Sequence, residues 1–199
     1  VENQTLEVLE PQGHFYTHYH PSNEKVYVGI AAGSGISPVL SNVVEALHQE
    51  PKSSAYLFFS NKSTNQIIFK ERIDALVEKF QGRLKVVYLL SREKHVEKEL
   101  FEGRISAEKL NALLEFFPEI PAKEATFFIC GPTDMIKSIS TFLKEDKKVP
   151  SLQVMYEYYT PPDDEENAEK SEEFKKIPNI ESFVTLIIDD DECNIHLNS

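Results

Sequence analysis

The sequence predicts an α/β fold: a doubly wound, five-stranded parallel sheet with helices on both faces. From residue 26 onward, short apolar runs alternate with segments whose apolar residues recur at helical spacing. The apolar runs are strand-sized, and this alternation is typical of parallel strands covered on both faces. A glycine-rich turn, residues 33–38, also lies between the first apolar run and the first helical segment. Strand, glycine turn and helix together form a phosphate cradle in such sheets.

The first half of this alternation contains three strands and two helices. The strands are predicted at residues 26–32, 55–60 and 84–90. The apolar stripe of the first helix comprises Leu40, Val43, Val44 and Leu47. The stripe of the second helix comprises Phe69, Ile73, Leu76, Val77 and Phe80.

The second half begins with a charged connection at residues 92–104 and a helix capped by Ser106. The apolar stripe of that helix comprises Leu110, Leu113, Leu114 and Phe117. Residues 125–130 are the fourth predicted strand, and Gly131 and Pro132 end it and start another helix. That helix carries Ile136, Ile139 and Leu143, and residues 152–158 are the fifth strand.

The two ends of the chain fall outside this alternation. Residues 6–18 have the pattern of a strand, a Pro/Gly turn and a second strand, as in the last hairpin of a preceding β domain. Residues 161–176 are acidic and polar, which predicts a solvated linker. Residues 182–192 predict a strand and a turn that open another β-rich domain. We therefore expect the chain to be a piece of a longer protein.

The composition excludes several classes of protein. A formal net charge of −12 argues against a general nucleic-acid binder, because binding to a phosphate backbone needs a basic surface. No apolar run approaches the roughly 20 residues of a membrane-spanning helix, and no signal peptide is recognisable. Cys130 and Cys193 form neither a CxxC pair nor a disulfide framework. We therefore predict a cytoplasmic protein with no nucleic-acid or membrane partner.

The glycine turn is the first candidate binding segment. It comprises Gly33, Ser34, Gly35, Ile36, Ser37 and Pro38. Its glycines permit a tight turn and a close approach to a pyrophosphate, its serines add hydroxyl donors, and its proline suits a first helical turn. The turn departs from the GxGxxG fingerprint and lacks GK[ST], which argues against a P-loop NTPase. The alternative interpretation is a structural turn.

Two further segments end strands at the same predicted edge. After the third strand, Ser91 and Arg92 place a hydroxyl beside a guanidinium, a pair suited to a phosphate monoester, although an ordinary solvated loop is the alternative. The second strand ends in Ser60, Asn61 and Lys62, where an NAD site carries an acid for the ribose hydroxyl. This favours NADP(H) over NAD(H), with Asn61 among the cofactor-binding residues.

Cys130, Gly131 and Pro132 follow the fourth strand. A lone buried thiol is usually a small apolar core residue, but this one precedes a Gly-Pro break and a helix start, which favours a ligand-facing position. His14, His18 and His20 lack a companion cysteine or carboxylate pattern, so no metal site is predicted.

The three motifs, in this order and spacing, resemble the NAD(P)-binding domain of the ferredoxin-NADP reductase superfamily. The texts AAGSGISPVLS, GRISAEKLNALL and FFICGPTDMI are most similar to reductase components of phenylacetyl-CoA oxygenase type. The resemblance covers roughly residues 6–159. It implies the end of a FAD-binding β-barrel at residues 1–22, an NADP(H)-binding domain at 23–160, an acidic linker at 161–181 and the start of a [2Fe-2S] domain at 182–199.

The resemblance also implies a role for each segment. The glycine turn holds the pyrophosphate, Ser91 and Arg92 hold the 2′-phosphate, and residues 130–132 border the nicotinamide. Cys130 is the catalytic candidate, supporting the nicotinamide rather than acting as a nucleophile. Tyr158, or its neighbour Tyr159, takes the place of the aromatic residue near the flavin. The RxYS flavin motif and the Cys-x4-Cys-x2-Cys run are absent from the sequence, so we expect this chain to bind neither FAD nor a cluster well.

The expected function is that of the NADPH-binding part of a flavin-dependent reductase. Hydride would pass from NADPH to FAD, and electrons would pass on to a [2Fe-2S] centre and an oxygenase, ferredoxin or flavodoxin. One alternative is a reductase of the same fold without an oxygenase partner. Another is a nucleotide-sensing module without redox turnover, which would not need the Cys130 segment.

Overall fold

The structure of the chain, a computed structural model, describes residues 13–94 and 99–158 and the backbone of residues 182–188 and 191–197. The chain divides into two compact units, Val1–Tyr159 and Thr160–Ser199. Residues 161–181, predicted as a linker, and the first half of the predicted N-terminal hairpin lie outside the described residues.

The first unit is built on a five-stranded sheet whose strands all pair in parallel. Its strands are β1 Val26–Ala32, β2 Ser54–Asn61, β3 Leu84–Leu90, β4 Thr126–Cys130 and β5 Val154–Glu157. Their order across the sheet is β3-β2-β1-β4-β5, so the winding reverses between β1 and β4. The predicted doubly wound fold is therefore confirmed. Ligands bind at the carboxyl ends of the strands near such a reversal.

Within the part of the chain that the structure describes, four α-helices cover the sheet. They are α1 Ile36–Gln49, α2 Lys70–Lys79, α3 Ala107–Phe116 and α4 Thr133–Thr141, the last continuing into a π-helical turn at Phe142–Asp146. Short 3-10 turns occur at Gly33–Gly35, Thr64–Gln66, Glu99–Phe101 and Ser151–Gln153. As predicted, Ser106 caps α3, accepting a hydrogen bond from the Lys109 N–H at 3.2 Å.

The core has two layers because successive strand residues face opposite sides of the sheet. In β1, Ile30 belongs to the cluster that includes Leu110 of α3 and Ile136 of α4. Its neighbour Ala31 belongs to the cluster on the other face, which contains Val39 of α1. Each cluster is buried, so both faces of the sheet are covered as the sequence predicts.

Two residues at element boundaries are more exposed than predicted. Leu152 was expected in β5, yet it lies in a 3-10 turn with 89% of its surface exposed. That turn is closed by a 2.8 Å hydrogen bond from the Gln153 N–H to the Pro150 carbonyl. Phe69 was expected on the buried stripe of α2, yet it precedes the helix in a left-handed conformation, φ 59°, and is exposed.

The flanking segments show part of what was expected. Residues 15–20 have no regular secondary structure in place of the predicted second strand. They pack against the domain, with the Phe15 ring 5.7 Å from the Phe128 ring. In the second unit, β6 Ser182–Ile188 and β7 Asp191–Leu197 form an antiparallel hairpin, which extends the strand and turn predicted there.

A buried carboxylate lies at the opposite edge of the sheet from the strands' carboxyl ends. Glu50 follows α1, is fully buried and accepts four hydrogen bonds. The donors are the His20 N–H at 3.0 Å, Asn23 Nδ2 at 2.6 Å, the Tyr27 hydroxyl at 2.9 Å and the Ser53 hydroxyl at 2.7 Å. Burial alone would raise the pKa of Glu50, but these hydrogen bonds outweigh it and lower the pKa.

We expect Glu50→Gln to lower the free energy of unfolding by about 1–2 kcal/mol at pH 7, because an amide cannot accept all four hydrogen bonds. The carboxylate's pKa is lower in the folded protein, so its stabilisation is full above the unfolded pKa of about 4.3 and declines as pH falls below it. Urea unfolding at pH 7 and in acid measures this.

The matched control is Glu45→Gln, an exposed α1 residue whose carboxylate accepts a hydrogen bond from Gln49 of the same helix. Its stability should equal that of the unsubstituted protein. A Glu50→Gln deficit that widens on acidification would contradict this assignment.

Candidate functional site

A cleft of about 1130 Å³ lies at the carboxyl edge of the sheet. Its wall contains residues from the ends of β1, β2, β3 and β4 and from the starts of α3 and α4. Seven predicted site residues line it, namely Gly33, Ser34, Asn61, Ser91, Arg92, Gly131 and Pro132. Segments far apart in sequence thus converge on one cleft.

The glycine turn forms the centre of the wall. Gly33 has φ +55°, a conformation open to glycine, and the 3-10 turn leads directly into α1. Among the described residues, no side chain caps α1, and its first turn contains no acid. The start of the helix therefore keeps its partial positive charge for an anion.

The other four residues of the glycine turn lie away from the cleft. Gly35 and Ile36 are buried, Ser37 is exposed and Pro38 is half-buried, and none of the four lines the cleft. Gly35 lies against the end of β4, where an added Cβ would come within 3.0 Å of the Gly131 nitrogen. The turn and the end of β4 are therefore in direct contact.

Three cations line one end of the cleft: Lys62, Arg92 and Arg104. All three are exposed, and none forms an ion pair with a residue that the structure describes. Hydrogen bonds from the Ser91 N–H to the Asn61 carbonyl (2.9 Å) and from the Arg92 N–H to the Lys62 carbonyl (2.8 Å) extend the β2–β3 pairing beyond the strands. They hold Lys62 and Arg92 side by side.

Arg104 was not among the predicted site residues. The connection after β3 returns to its end, where the Gly103 N–H donates to the Leu90 carbonyl at 2.8 Å. This return brings Arg104 to the rim that carries Arg92. A signal was available in the sequence, because Arg104 lies two residues before the Ser106 helix cap and helix starts attract anions.

Asn61 contributes an unsatisfied donor. Its side chain is 7% exposed, and its Nδ2 atom is buried without a hydrogen-bond partner among the residues that the structure describes. A buried polar group without a partner costs about 1–3 kcal/mol, so such groups call for an explanation. An acceptor atom of a ligand bound in the cleft would satisfy this donor. Together with the start of α1 and the three cations, Asn61 makes the cleft fit an anionic nucleotide.

Cys130 and Tyr158, like the last four residues of the glycine turn, do not line the cleft. Cys130 is fully buried, and it faces α1 with Ala31, its partner across the β1–β4 pair. The cleft residues Ile105 and Met135 belong to the opposite core layer. Tyr158 is half-buried against that layer, with its ring 5.5 Å from the Tyr156 ring. Their roles near the nicotinamide and the flavin stay predictions.

The segment that forms this cleft matches a known protein family. The family described as the oxidoreductase NAD-binding domain matches residues 30–141, more than half of the chain. This chain belongs to that family. The match runs from the end of β1 through α4 and therefore includes every loop that lines the cleft.

Curated relatives support membership in the NAD-binding domain family. A component of 1,2-phenylacetyl-CoA epoxidase from Escherichia coli is 36% identical over 72% of this chain and 40% of the relative. The ferredoxin reductase component of 3-ketosteroid-9-alpha-monooxygenase from Rhodococcus rhodochrous is 33% identical over 68% of this chain and 34% of the relative. The predicted resemblance to ferredoxin-NADP reductases is confirmed. The chain spans less than half the length of these two relatives.

Solved structures of other proteins have the same fold as this chain. The cytochrome P450 reductase GcoB from Amycolatopsis matches with a TM-score of 0.63 and 21% identity, over 76% of this chain and 43% of that structure. The FAD/NAD-binding domain of nitric oxide dioxygenase from Vibrio cholerae matches with a TM-score of 0.60 and 20% identity, over 76% of this chain and 56% of that structure. At these identities the likeness concerns the fold alone.

Among the residues that the structure describes, no helix is long and apolar enough to cross a membrane. In the same residues, no three His, Cys, Asp or Glu side chains come together as ligands for a metal ion.

Proposed function

We propose that this chain is the NADP(H)-binding part of a flavin-dependent reductase. The observation that carries the proposal is the convergence of three cations and Ser91 with the glycine turn in one cleft. A pyrophosphate and a 2′-phosphate need two anion-binding positions, and the cleft supplies one at Gly33 and Ser34, in the turn that leads into α1, and another at the ends of β2 and β3.

The preference for NADP(H) over NAD(H) rests on charge. An NAD site has an acid near the end of β2 to accept the ribose hydroxyls, whereas β2 here ends in Asn61 followed by Lys62. Among the described residues that line the cleft, Asp134 is the only acid, and it belongs to α4 rather than to the β2–β3 edge. The cations therefore face a phosphate without a competing carboxylate from β2.

The protein's part in the reaction is binding and alignment. When both cofactors are bound, NADPH supplies a hydride that the flavin accepts at N5. The glycine turn and the end of β4 are in contact, so the pyrophosphate anchor and residues 130–132 form one rigid base for the nicotinamide half. Asn61 donates from the cleft wall to an acceptor of the bound nucleotide.

The proposal extends to the whole protein by analogy with the named relatives. Two of them are components of an epoxidase and a monooxygenase. We infer a FAD-binding barrel before residue 23, an acidic linker at 161–181 and a [2Fe-2S] domain that begins near residue 182. The electron acceptor is an oxygenase, a ferredoxin or a flavodoxin, and the protein works in the cytoplasm.

Two measurements test the proposal. Calorimetric titration of the 199-residue chain should show tighter binding of NADP⁺ than of NAD⁺. A protein that joins this chain to its flavin and [2Fe-2S] domains should oxidise NADPH with ferricyanide as acceptor. Binding without flavin-dependent turnover would instead favour a nucleotide-sensing module, a candidate supported by the core position of Cys130. Equal binding of the two nucleotides would overturn the NADP(H) preference.

For Cys130→Ser in the joined protein, we expect flavin reduction about tenfold slower with little change in NADP⁺ affinity, because small errors in ring alignment slow the transfer. Stopped-flow absorbance measures the rate, and Cys130→Ala is the control for loss of core packing. An unchanged rate in both variants would assign Cys130 to the core alone, where its side chain is buried in the layer that contains α1.

A further inference from the structure

Two hydrogen bonds join the loop after β2 to the loop after β3 at the cation-lined end of the cleft. The Thr64 N–H donates to Glu93 Oε2 at 2.8 Å, and the Thr64 hydroxyl donates to Glu93 Oε1 at 2.9 Å. Both carboxylate oxygens thus bind one residue. We call this two-bond contact the Thr64–Glu93 tether.

The tether lies directly beyond two of the three cations. Thr64 is two residues after Lys62, and Glu93 immediately follows Arg92. Between the strands and the tether, the backbone bond from Arg92 to Lys62 is the last backbone pairing of the two loops within the described residues. The tether therefore links the two loops just beyond their last backbone hydrogen bond. It limits how far the backbones at Lys62 and Arg92 can move apart.

We propose that Glu93 is a positioning residue for the 2′-phosphate subsite, acting through Thr64 on Lys62 and Arg92. This inference rests on the proposed function. Glu93 is an acid beside a site for a doubly charged phosphate, so its charge by itself opposes binding of that phosphate. Positioning and charge consequently predict opposite results when the charge of Glu93 is removed.

The experiment compares NADP⁺ and NAD⁺ binding to the 199-residue chain by calorimetry. Glu93→Gln loses one acceptor oxygen and the charge, and Thr64→Val loses the hydroxyl donor with no change in charge. We expect each substitution to lower the affinity for NADP⁺ about fivefold and to leave the affinity for NAD⁺ unchanged. The double variant should bind NADP⁺ no more weakly than the single variant with the lower affinity. Thr64→Ser keeps both donors and should bind like the unsubstituted protein.

The matched control is Glu119→Gln. Glu119 is also an exposed carboxylate with two hydrogen bonds. It accepts from Lys85 Nζ at 2.7 Å and from the Tyr56 hydroxyl at 2.9 Å, near the amino-terminal ends of β2 and β3. It should leave the NADP⁺ to NAD⁺ ratio unchanged. Thermal unfolding by circular dichroism shows whether each variant is folded at the titration temperature, as expected for exposed positions.

Distinct outcomes separate the two proposals. Tighter NADP⁺ binding by Glu93→Gln, or independent losses in the double variant, would overturn the positioning role. An unchanged NADP⁺ to NAD⁺ ratio in both single variants would overturn it as well. A failure of the unsubstituted protein to prefer NADP⁺ would overturn the proposed function, and this inference with it.

Discussion

Gly35→Ala is expected to destabilise the protein by about 3 kcal/mol and to abolish measurable nucleotide binding. The backbone of Gly35 is ordinary, with φ −57° and ψ −11°, so its conformation does not require glycine. Space does: an added Cβ would lie 2.6 Å from the carbonyl carbon of Cys130 and 3.0 Å from the nitrogen of Gly131. Both neighbours are backbone atoms at the end of β4, an interior strand, and cannot yield as a flexible side chain would.

Relief of this clash would move the glycine turn away from β4. Because these two segments form adjoining parts of the cleft, stability and nucleotide affinity should fall together. Urea unfolding and calorimetric titration with NADP⁺ measure the two effects. An alanine variant with unaltered stability would show that the turn and β4 are not in contact in solution.

Gly33→Ala is the matched control for this experiment. Gly33 has φ +55°, but an added Cβ there meets nothing within 4 Å among the described residues. Its cost is conformational only, about 1 kcal/mol. The two variants separate the reasons for the two glycines: backbone conformation at Gly33 and close packing at Gly35. Equal costs at both positions would contradict the packing argument.

Most of the sheet could be predicted because its inner strands, β1, β2 and β4, are buried on both faces and are largely apolar. β1 and β3 have the predicted bounds, whereas the edge strand β5 is shorter than its apolar pattern indicates. An edge strand has a neighbour on one side only, and Leu152 lies exposed beyond its end. Hydrophobicity alone does not distinguish a buried run from an exposed one.

The part of the site formed by segments that directly follow strands could be predicted from the sequence. Parallel strands place their carboxyl ends on the same side of a sheet, so these segments come together. Arg104 was missed because its place at the cleft depends on a return of the chain to the end of β3, and the local signal, its position just before the α3 cap, does not by itself indicate that return. Cys130 was placed at the cleft from its neighbours in sequence. The alternation of side chains along β4 instead turns its thiol toward α1.

Arg92→Ala is expected to weaken NADP⁺ binding by about 1–3 kcal/mol, roughly fivefold to 150-fold, with little effect on NAD⁺. A guanidinium offers a forked pair of donors to a phosphate, and Arg92 is held beside Lys62 by the 2.8 Å backbone hydrogen bond. It has no ion pair with any described residue, so its charge is available for a ligand. NAD⁺ lacks the 2′-phosphate and serves as the matched ligand.

Three comparisons make the Arg92 experiment specific. Arg72→Ala removes an exposed arginine from α2, outside the cleft, and should change neither affinity. Lys62→Ala should weaken NADP⁺ binding less than Arg92→Ala does, because an ammonium group makes no bidentate contact with a phosphate. The NADP⁺ affinity of the unsubstituted chain should also fall more steeply with salt than that of Arg92→Ala, because screening acts on the charge that the variant lacks. Equal weakening of both nucleotides would reassign Arg92 to a part that they share, such as the pyrophosphate, and would leave the preference for NADP(H) without its main support.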